Sequence, residues 1–270
     1  MKNAKRVICV VGTRPEAIKM APVIKALMSQ PLMDCRVVVT AQHRGLLDSA
    51  FSSFGIKPDV DLDLMRPNQS LAEITGRAFI ELEKVLKAEA PDFVLAQGDT
   101  TTVMVTAMTC FYLKIPFGHV EAGLRTGDMR NPFPEEANRV IASKVSDIHF
   151  APTKRSANAL KTEGIDPATI VVTGNTVIDA LMETRARKPE LGISLPEGAR
   201  LILMTAHRRE NFGEPLKRAF NAARQLVEER SDVHVLYPVR TNPNVKDMAR
   251  QAIEGLDRVH LCEPLDYEPF

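Results

Sequence analysis

The sequence predicts an α/β protein built of two doubly wound layers, the second of them cut short. Three observations carry that expectation. Short apolar runs alternate with amphipathic stretches at helical spacing along the whole chain. The apolar runs end in loops rich in glycine and charge, and the alternation restarts after a region containing Pro189, Gly192, Pro196 and Gly198. Such alternation folds as a parallel sheet with right-handed helical crossovers. The expected domains are residues 1–173 and 174–270.

The first strand is Val7 to Val11, closed by Gly12-Thr13-Arg14-Pro15-Glu16, after which Ile18, Met20, Ala21, Val23, Ile24, Leu27 and Met28 recur with helical period. Pro15 suits the first helical position, where a missing N–H costs nothing. Arg14 and Lys19 put two cations near the positive end of a helix dipole, an arrangement that favours an anion between them. A phosphate site is one reading and two solvated cations the other; the glycine and proline framing favours the phosphate.

Arg36 to Thr40 reads as the second strand, and Gln42-His43-Arg44-Gly45 leads into a helix that ends before Gly55. Val60 to Leu64 is a short third strand. Ser70 and Glu73 have capping-box spacing at the head of a long helix ending near Glu89. Phe93 to Ala96 then delivers Gln97-Gly98-Asp99-Thr100-Thr101-Thr102 to the mouth of the sheet. Asp99 reads equally as a helix cap or as a general base with hydroxyls around it.

A helix from Val103 to Leu113 leads into the stretch Phe117 to Arg139, which holds the densest charge next to glycine and proline. Glu121 directly follows an apolar strand, and a carboxylate there is costly unless paired or useful. Glu135 and Glu136 open the next helix. They are either first-turn acids complementing the helix dipole or part of the chemistry. Ile148 to Ala151, a helix from Lys154 to Glu163, and Ile170 to Val172 complete the first layer.

A helix then runs to Lys188. The second layer comprises strand Leu201 to Thr205, the loop Ala206-His207-Arg208-Arg209-Glu210-Asn211-Phe212-Gly213, a helix from Pro215 to Glu229, strand Val233 to Tyr237, a helix to Ile253 and strand Arg258 to Cys262. The chain stops at Phe270, where another crossover helix is expected, so a truncated chain is the expectation.

Composition narrows the function. The 35 basic and 34 acidic side chains nearly cancel, which argues against nucleic acid or an anionic membrane as a partner. Cys9, Cys35, Cys110 and Cys262 lie far apart without metal-ligand or disulfide spacing, so reduced thiols in a cytoplasmic protein are expected, with no metal. The run Val7 to Val11 is too short for a signal peptide core and reads as a buried strand.

Taken together, Gly12-Thr13-Arg14-Pro15-Glu16 with Lys19, Gln97-Gly98-Asp99-Thr100, His119-Val120-Glu121-Ala122-Gly123-Leu124-Arg125, Pro134-Glu135-Glu136-Ala137-Asn138-Arg139 and Thr205-Ala206-His207-Arg208-Arg209-Glu210-Asn211 resemble the non-hydrolysing UDP-N-acetylglucosamine 2-epimerases. The resemblance implies two Rossmann-like domains, as in the glycosyltransferase B fold, and reversible conversion of UDP-GlcNAc to UDP-ManNAc through elimination and re-addition of UDP, without cofactor. It also implies a homodimer serving cell-surface polysaccharide biosynthesis. Asp99, Glu121 and Glu135 match the family's acid/base carboxylates, and His207, also expected to be catalytic, matches its diphosphate-side groups together with Arg14 and Lys19. Arg14, Lys19, Arg125, Arg139, Arg208 and Asn211 match substrate-binding positions. Gln42, Glu136 and Arg209 match an allosteric nucleotide-sugar site, although Gly45, Asn68 and Arg240 depart from its pattern. The family's Ser-, Gly- and Glu-rich segment and its final returning helix have no counterpart here. Two other functions are carried forward: a glycosyltransferase of the same fold, and a non-catalytic nucleotide-sugar-binding fragment.

Overall fold

The computed structural model describes residues 4–40, 44–205, 213–239, 243–253 and 255–270. It divides into two compact units, Met1–Ala186 and Arg187–Phe270.

In the first unit, β1 (Lys5–Val11), β2 (Met33–Val39), β3 (Val60–Asp61), β4 (Phe93–Gln97), β5 (Phe117–Val120), β6 (Ile148–Ala151) and β7 (Ile170–Val172) form one parallel sheet in the order β3-β2-β1-β4-β5-β6-β7. Around it lie α1 (Arg14–Met28), α2 (Arg44–Ser53), α3 (Leu71–Glu89), α4 (Thr101–Leu113), α5 (Glu135–Val145), α6 (Lys154–Thr162) and α7 (Thr176–Ala186). A strand covered on both faces has no reason to alternate apolar with polar. β1 shows this, because every residue from Val7 to Val11 is buried. One face packs Ile8, Val10, Val38, Val94 and Ala96 against Ala78, Leu82 and Leu86 of α3 and Val103, Ala107 and Cys110 of α4. Beyond the strands, α1 packs on α7, where Lys25 Nζ pairs with Glu183 at 2.5 Å.

Local signals place most boundaries. Ser70 and Glu73 form both bonds of the expected capping box at the head of α3. The third strand is shorter than expected, since Asp63 takes φ 45° and bends the chain away after Val60–Asp61. The first helix starts at Arg14, which puts Pro15 at its second position rather than its first. Lys188 adopts φ 49°, and α7 ends before it at Ala186.

Gly118 marks where packing admits no side chain. A Cβ there would stand 2.7 Å from Leu95 Cδ2 and 2.9 Å from Phe93 Cε1, both on the neighbouring β4. Gly118→Ala is expected to lower stability by about 1–3 kcal/mol through overpacking, as read from the urea midpoint. An unchanged midpoint would mean that the ring of Phe93 gives way freely.

The second unit has β8 (Arg200–Leu203), α8 (Glu214–Glu229), β9 (Val233–Pro238), α9 (Pro243–Ile253) and β10 (Val259–Cys262), with a parallel sheet in the order β10-β9-β8. Leu216, Phe220, Tyr237, Val239, Ala249 and Ile253 make its core, and the rings of Phe220 and Tyr237 meet edge to face at 5.3 Å. Among the described residues no helix is long and apolar enough to cross a membrane.

Candidate active site

The strand order of the first unit reverses direction between β1 and β4, and an open parallel sheet gathers ligands at the carboxyl ends of the strands flanking such a point. The loops after β1, β4 and β5 therefore define the crevice. Hydrogen bonds between them are unusually long-range.

Asp99 lies on the turn after β4. Gly98 there has φ 93°, a conformation suited to glycine, and its N–H donates to the Val120 carbonyl at 3.0 Å. The turn is fixed from two further directions. Buried His119 on β5 places Nε2 2.7 Å from the Gly98 carbonyl, and Asn138 Nδ2 on α5 donates to the Asp99 carbonyl at 3.0 Å. A carbonyl only accepts, so His119 Nε2 carries hydrogen. Burial holds the imidazole down to about 4, which keeps it neutral at pH 7. The N-cap of α4 is Thr100, so Asp99 does not serve as the helix cap.

Glu121 follows β5 with φ 64°, an uncommon backbone state for a side chain of its size. It is held there by three donors. Lys19 Nζ lies 2.8 Å from Oε1 and 2.7 Å from Oε2, Asn175 Nδ2 donates to Oε1 at 2.6 Å, and Gln97 Nε2 donates to Oε2. With its side chain 10 % exposed, the carboxylate needs these partners. Ala122 next to it continues the ladder by donating to the Phe150 carbonyl at 3.0 Å.

The Asp99 carboxyl is held above the ordinary aspartate value, chiefly by burial. Arg139, whose Nη2 is 3.4 Å from Asp99 Oδ2, opposes that rise; the charges of Glu121 and Glu135 add to it, and Lys19 works against it. Three carboxylates and two cations thus share one field. A raised carboxyl among like charges is the setting of a proton-transferring group.

Glu135 begins α5, half-buried, and lines a cavity of about 480 Å³ together with Thr13, Asn68, Thr100 and Asn138. Its neighbour Glu136 is turned inward. Oε1 of Glu136 accepts the Thr126 and Gly127 N–H groups at 2.9 and 3.0 Å, and Oε2 sits 3.1 Å from Arg139 Nε. Arg125 is drawn into a two-pronged pair with Glu163 at 2.7 and 2.9 Å and reaches Ser143 Oγ at 3.1 Å. Arg14 is half-exposed at the start of α1, without an ion pair among the described residues.

The structure therefore brings Lys19, Asp99, Glu121, Glu135 and Arg139 together, while Arg125 and Glu136 are committed to the loop between β5 and α5. Gln42, His207, Arg208, Arg209 and Asn211 lie outside the described residues, as does Arg240. Sequence reasoning passed over Gln97, His119, Asn138 and Asn175 as working parts. Gln97 and His119 stand in strand ends that read as apolar, and only the position of Asn175 after a glycine at a strand end hinted at its use.

Chemically, the cluster can accept a proton from a carbon and return one, with fixed positive charge nearby for a departing anion. A family model described as UDP-N-acetylglucosamine 2-epimerase matches residues 25–270. A UDP-N-acetylglucosamine 2-epimerase of Bacillus subtilis (strain 168) is 48% identical over 271 residues, covering 100% of this chain and 71% of its own. The crystal structure of the UDP-GlcNAc 2-epimerase from Neisseria meningitidis bound to UDP-GlcNAc superimposes with a TM-score of 0.85 at 44% identity, over 98% of this chain and 74% of that one. A co-structure of S. aureus MnaA with UDP matches at a TM-score of 0.82 and 46% identity, over 97% of this chain and 70% of that one.

Proposed function

Because the chain belongs to the UDP-N-acetylglucosamine 2-epimerase family, we propose that it interconverts UDP-GlcNAc and UDP-ManNAc by inverting C2 of the sugar. The observation that carries this reading is the convergence of Asp99, Glu121 and Glu135 with Lys19 and Arg139 beyond β1, β4 and β5.

The C2 proton is not activated by an adjacent carbonyl, so its removal needs a placed base and an escape for the electrons. A carboxylate takes the proton, the C2–H electrons form the C1–C2 double bond of a glycal, and the C1–O bond breaks with its pair going to UDP. In the second half, a UDP oxygen adds back at C1 and a carboxyl returns a proton to the opposite face of C2. Inversion needs exchange on both faces. Two carboxylates from different loops, Asp99 and Glu121, meet that need, with Glu135 beside them.

Arg14, Lys19 and Arg139 supply positive charge toward the diphosphate, while roles for His207, Arg208 and Asn211 in substrate binding rest on the sequence resemblance alone. Arg125 in the β5–α5 loop and Glu136 on α5 act by shaping that loop, through Glu163 and through the Thr126 and Gly127 N–H groups respectively. The chain works as a cytoplasmic homodimer. Exposed Ile80, Phe111 and Tyr112 on neighbouring α3 and α4 support self-association, and the buried free thiols of Cys9 and Cys110 support a reducing compartment. A glycosyltransferase reading gains nothing from three clustered carboxylates.

Incubation with UDP-GlcNAc in deuterium oxide, followed by proton NMR, is expected to show loss of the C2 proton signal and growth of UDP-ManNAc. A C2 position that keeps its proton would remove this reaction from the chain.

A further inference from the structure

Glu16 is a buried acid that the reaction above does not use. It is 3 % exposed, yet its carboxylate faces neutral donors: Thr100 Oγ1 donates to Oε1 at 2.6 Å and the Gly12 N–H donates to Oε2 at 2.9 Å. Gly12 belongs to the loop that leads to Arg14 and Lys19, and Thr100 directly follows Asp99. The Thr100 bond crosses the switch point between β1 and β4, and the Gly12 bond anchors the same carboxylate on the β1 side.

Its position in α1 is the third helical residue, where a glutamate commonly folds back to satisfy a free N–H. The chain contains a comparison. Glu73 holds the same position in α3, is exposed, and accepts the Ser70 N–H at 2.7 Å, with its carboxyl held below the ordinary value by that bond. A cap needs no more than that. Glu16 instead reaches a side chain 84 residues away, and burial pushes it up to about 6 against the hydrogen bonds from Thr100, Thr13 and Gly12.

The packing around the bond leaves little slack. A Cβ on Gly12 would lie 2.3 Å from Thr102 Oγ1, so the first turn of α4 is pressed onto the loop after β1, and Thr102 Oγ1 is itself 2.9 Å from Thr40 Oγ1. The turn carrying Asp99 is thus fixed by His119 and Asn138 on its two carbonyls and by Glu16 on the following hydroxyl.

We propose that Glu16 is a positioning residue for the epimerisation, tying the β4–α4 turn to the β1–α1 loop so that Asp99 is held in register with Lys19. This rests on the functional reading above. Misplacing a reacting group by about 1 Å can cost roughly 100-fold in rate without altering what is bound.

The test is a double-mutant cycle on turnover of UDP-GlcNAc by the full chain. Glu16→Ala and Thr100→Val are each expected to lower kcat roughly 10- to 100-fold with KM within about threefold, and the double variant is expected to be no slower than the slower single, since either change cuts the same tie. Losses that multiply would overturn the proposal. Thr100→Val is nearly isosteric and leaves Glu16 in place, so a wild-type kcat in that variant alone would overturn it even if Glu16→Ala fails to fold. Should the wild-type chain itself make no UDP-ManNAc, the functional reading fails separately, and the tie is read from amide resonances. Thr100→Val is then expected to move the Gly12 amide signal, and an unmoved Gly12 signal would overturn the tie.

Discussion

Asp99→Asn is expected to lower turnover roughly 10²- to 10⁴-fold, the span of a lost general acid or base, while the urea midpoint stays close to wild type. The two halves of that expectation have separate grounds. The turn is fixed through backbone carbonyls of Gly98 and Asp99, which an asparagine retains. Among the described residues the side chain makes one long ion pair, 3.4 Å to Arg139, so an amide gives up little in stability. What it loses is the capacity to carry a proton. The wild-type pH profile adds an independent reading. Burial and the charges of Glu121 and Glu135 hold the Asp99 carboxyl up, so the base form is lost at a higher pH than for a free aspartate. The acid limb of kcat/KM is expected above the ordinary value of about 3.9. Turnover near wild type in Asp99→Asn would remove this group from the reaction.

Glu121→Gln is expected to cost activity on the same scale, roughly 10²- to 10⁴-fold, and also stability, by about 1–3 kcal/mol. Lys19, Asn175 and Gln97 all aim hydrogens at its two oxygens. An amide presents one oxygen and one NH₂ group to that ring of donors, so at least one donor in a nearly closed site loses its acceptor. The pair of variants therefore separates two kinds of carboxylate: one whose removal is felt only in rate, and one felt in rate and urea midpoint together. Lost stability with intact turnover would recast Glu121 as an anchor for Lys19.

The fold was legible because its signals are local. Unbroken apolar runs such as Val7 to Val11 announce strands buried on both faces, and Ser70 with Glu73 announces a helix start. Two of the boundaries that moved did so where a single residue left the expected dihedral region, Asp63 and Lys188. The site was legible in its carboxylates, since an acid at the end of an apolar strand stands out. Its supporting groups were not. His119 and Gln97 work through bonds to residues 21 and 24 positions away with nothing in their immediate neighbours to distinguish them, and Asn175 works through one spanning 54, hinted at only by the glycine before it. Arg125 was equally hidden in one respect: its place in a charged glycine-rich stretch gives no sign of the pair it makes with Glu163, 38 residues on.

The ladder bonds that run past the strand ends, from the Gly98 N–H to Val120 and from the Ala122 N–H to Phe150, bear on how this molecule breathes. Site loops commonly belong to the least protected parts of a protein and open without disturbing the rest. These two amides continue the β4–β5 and β5–β6 pairings, so freeing them parts the ends of inner strands. Their exchange should therefore follow global unfolding, and the turns beside the carboxylates have no private route to disorder. Selection for a stable sheet and selection for a working crevice then fall on the same bonds.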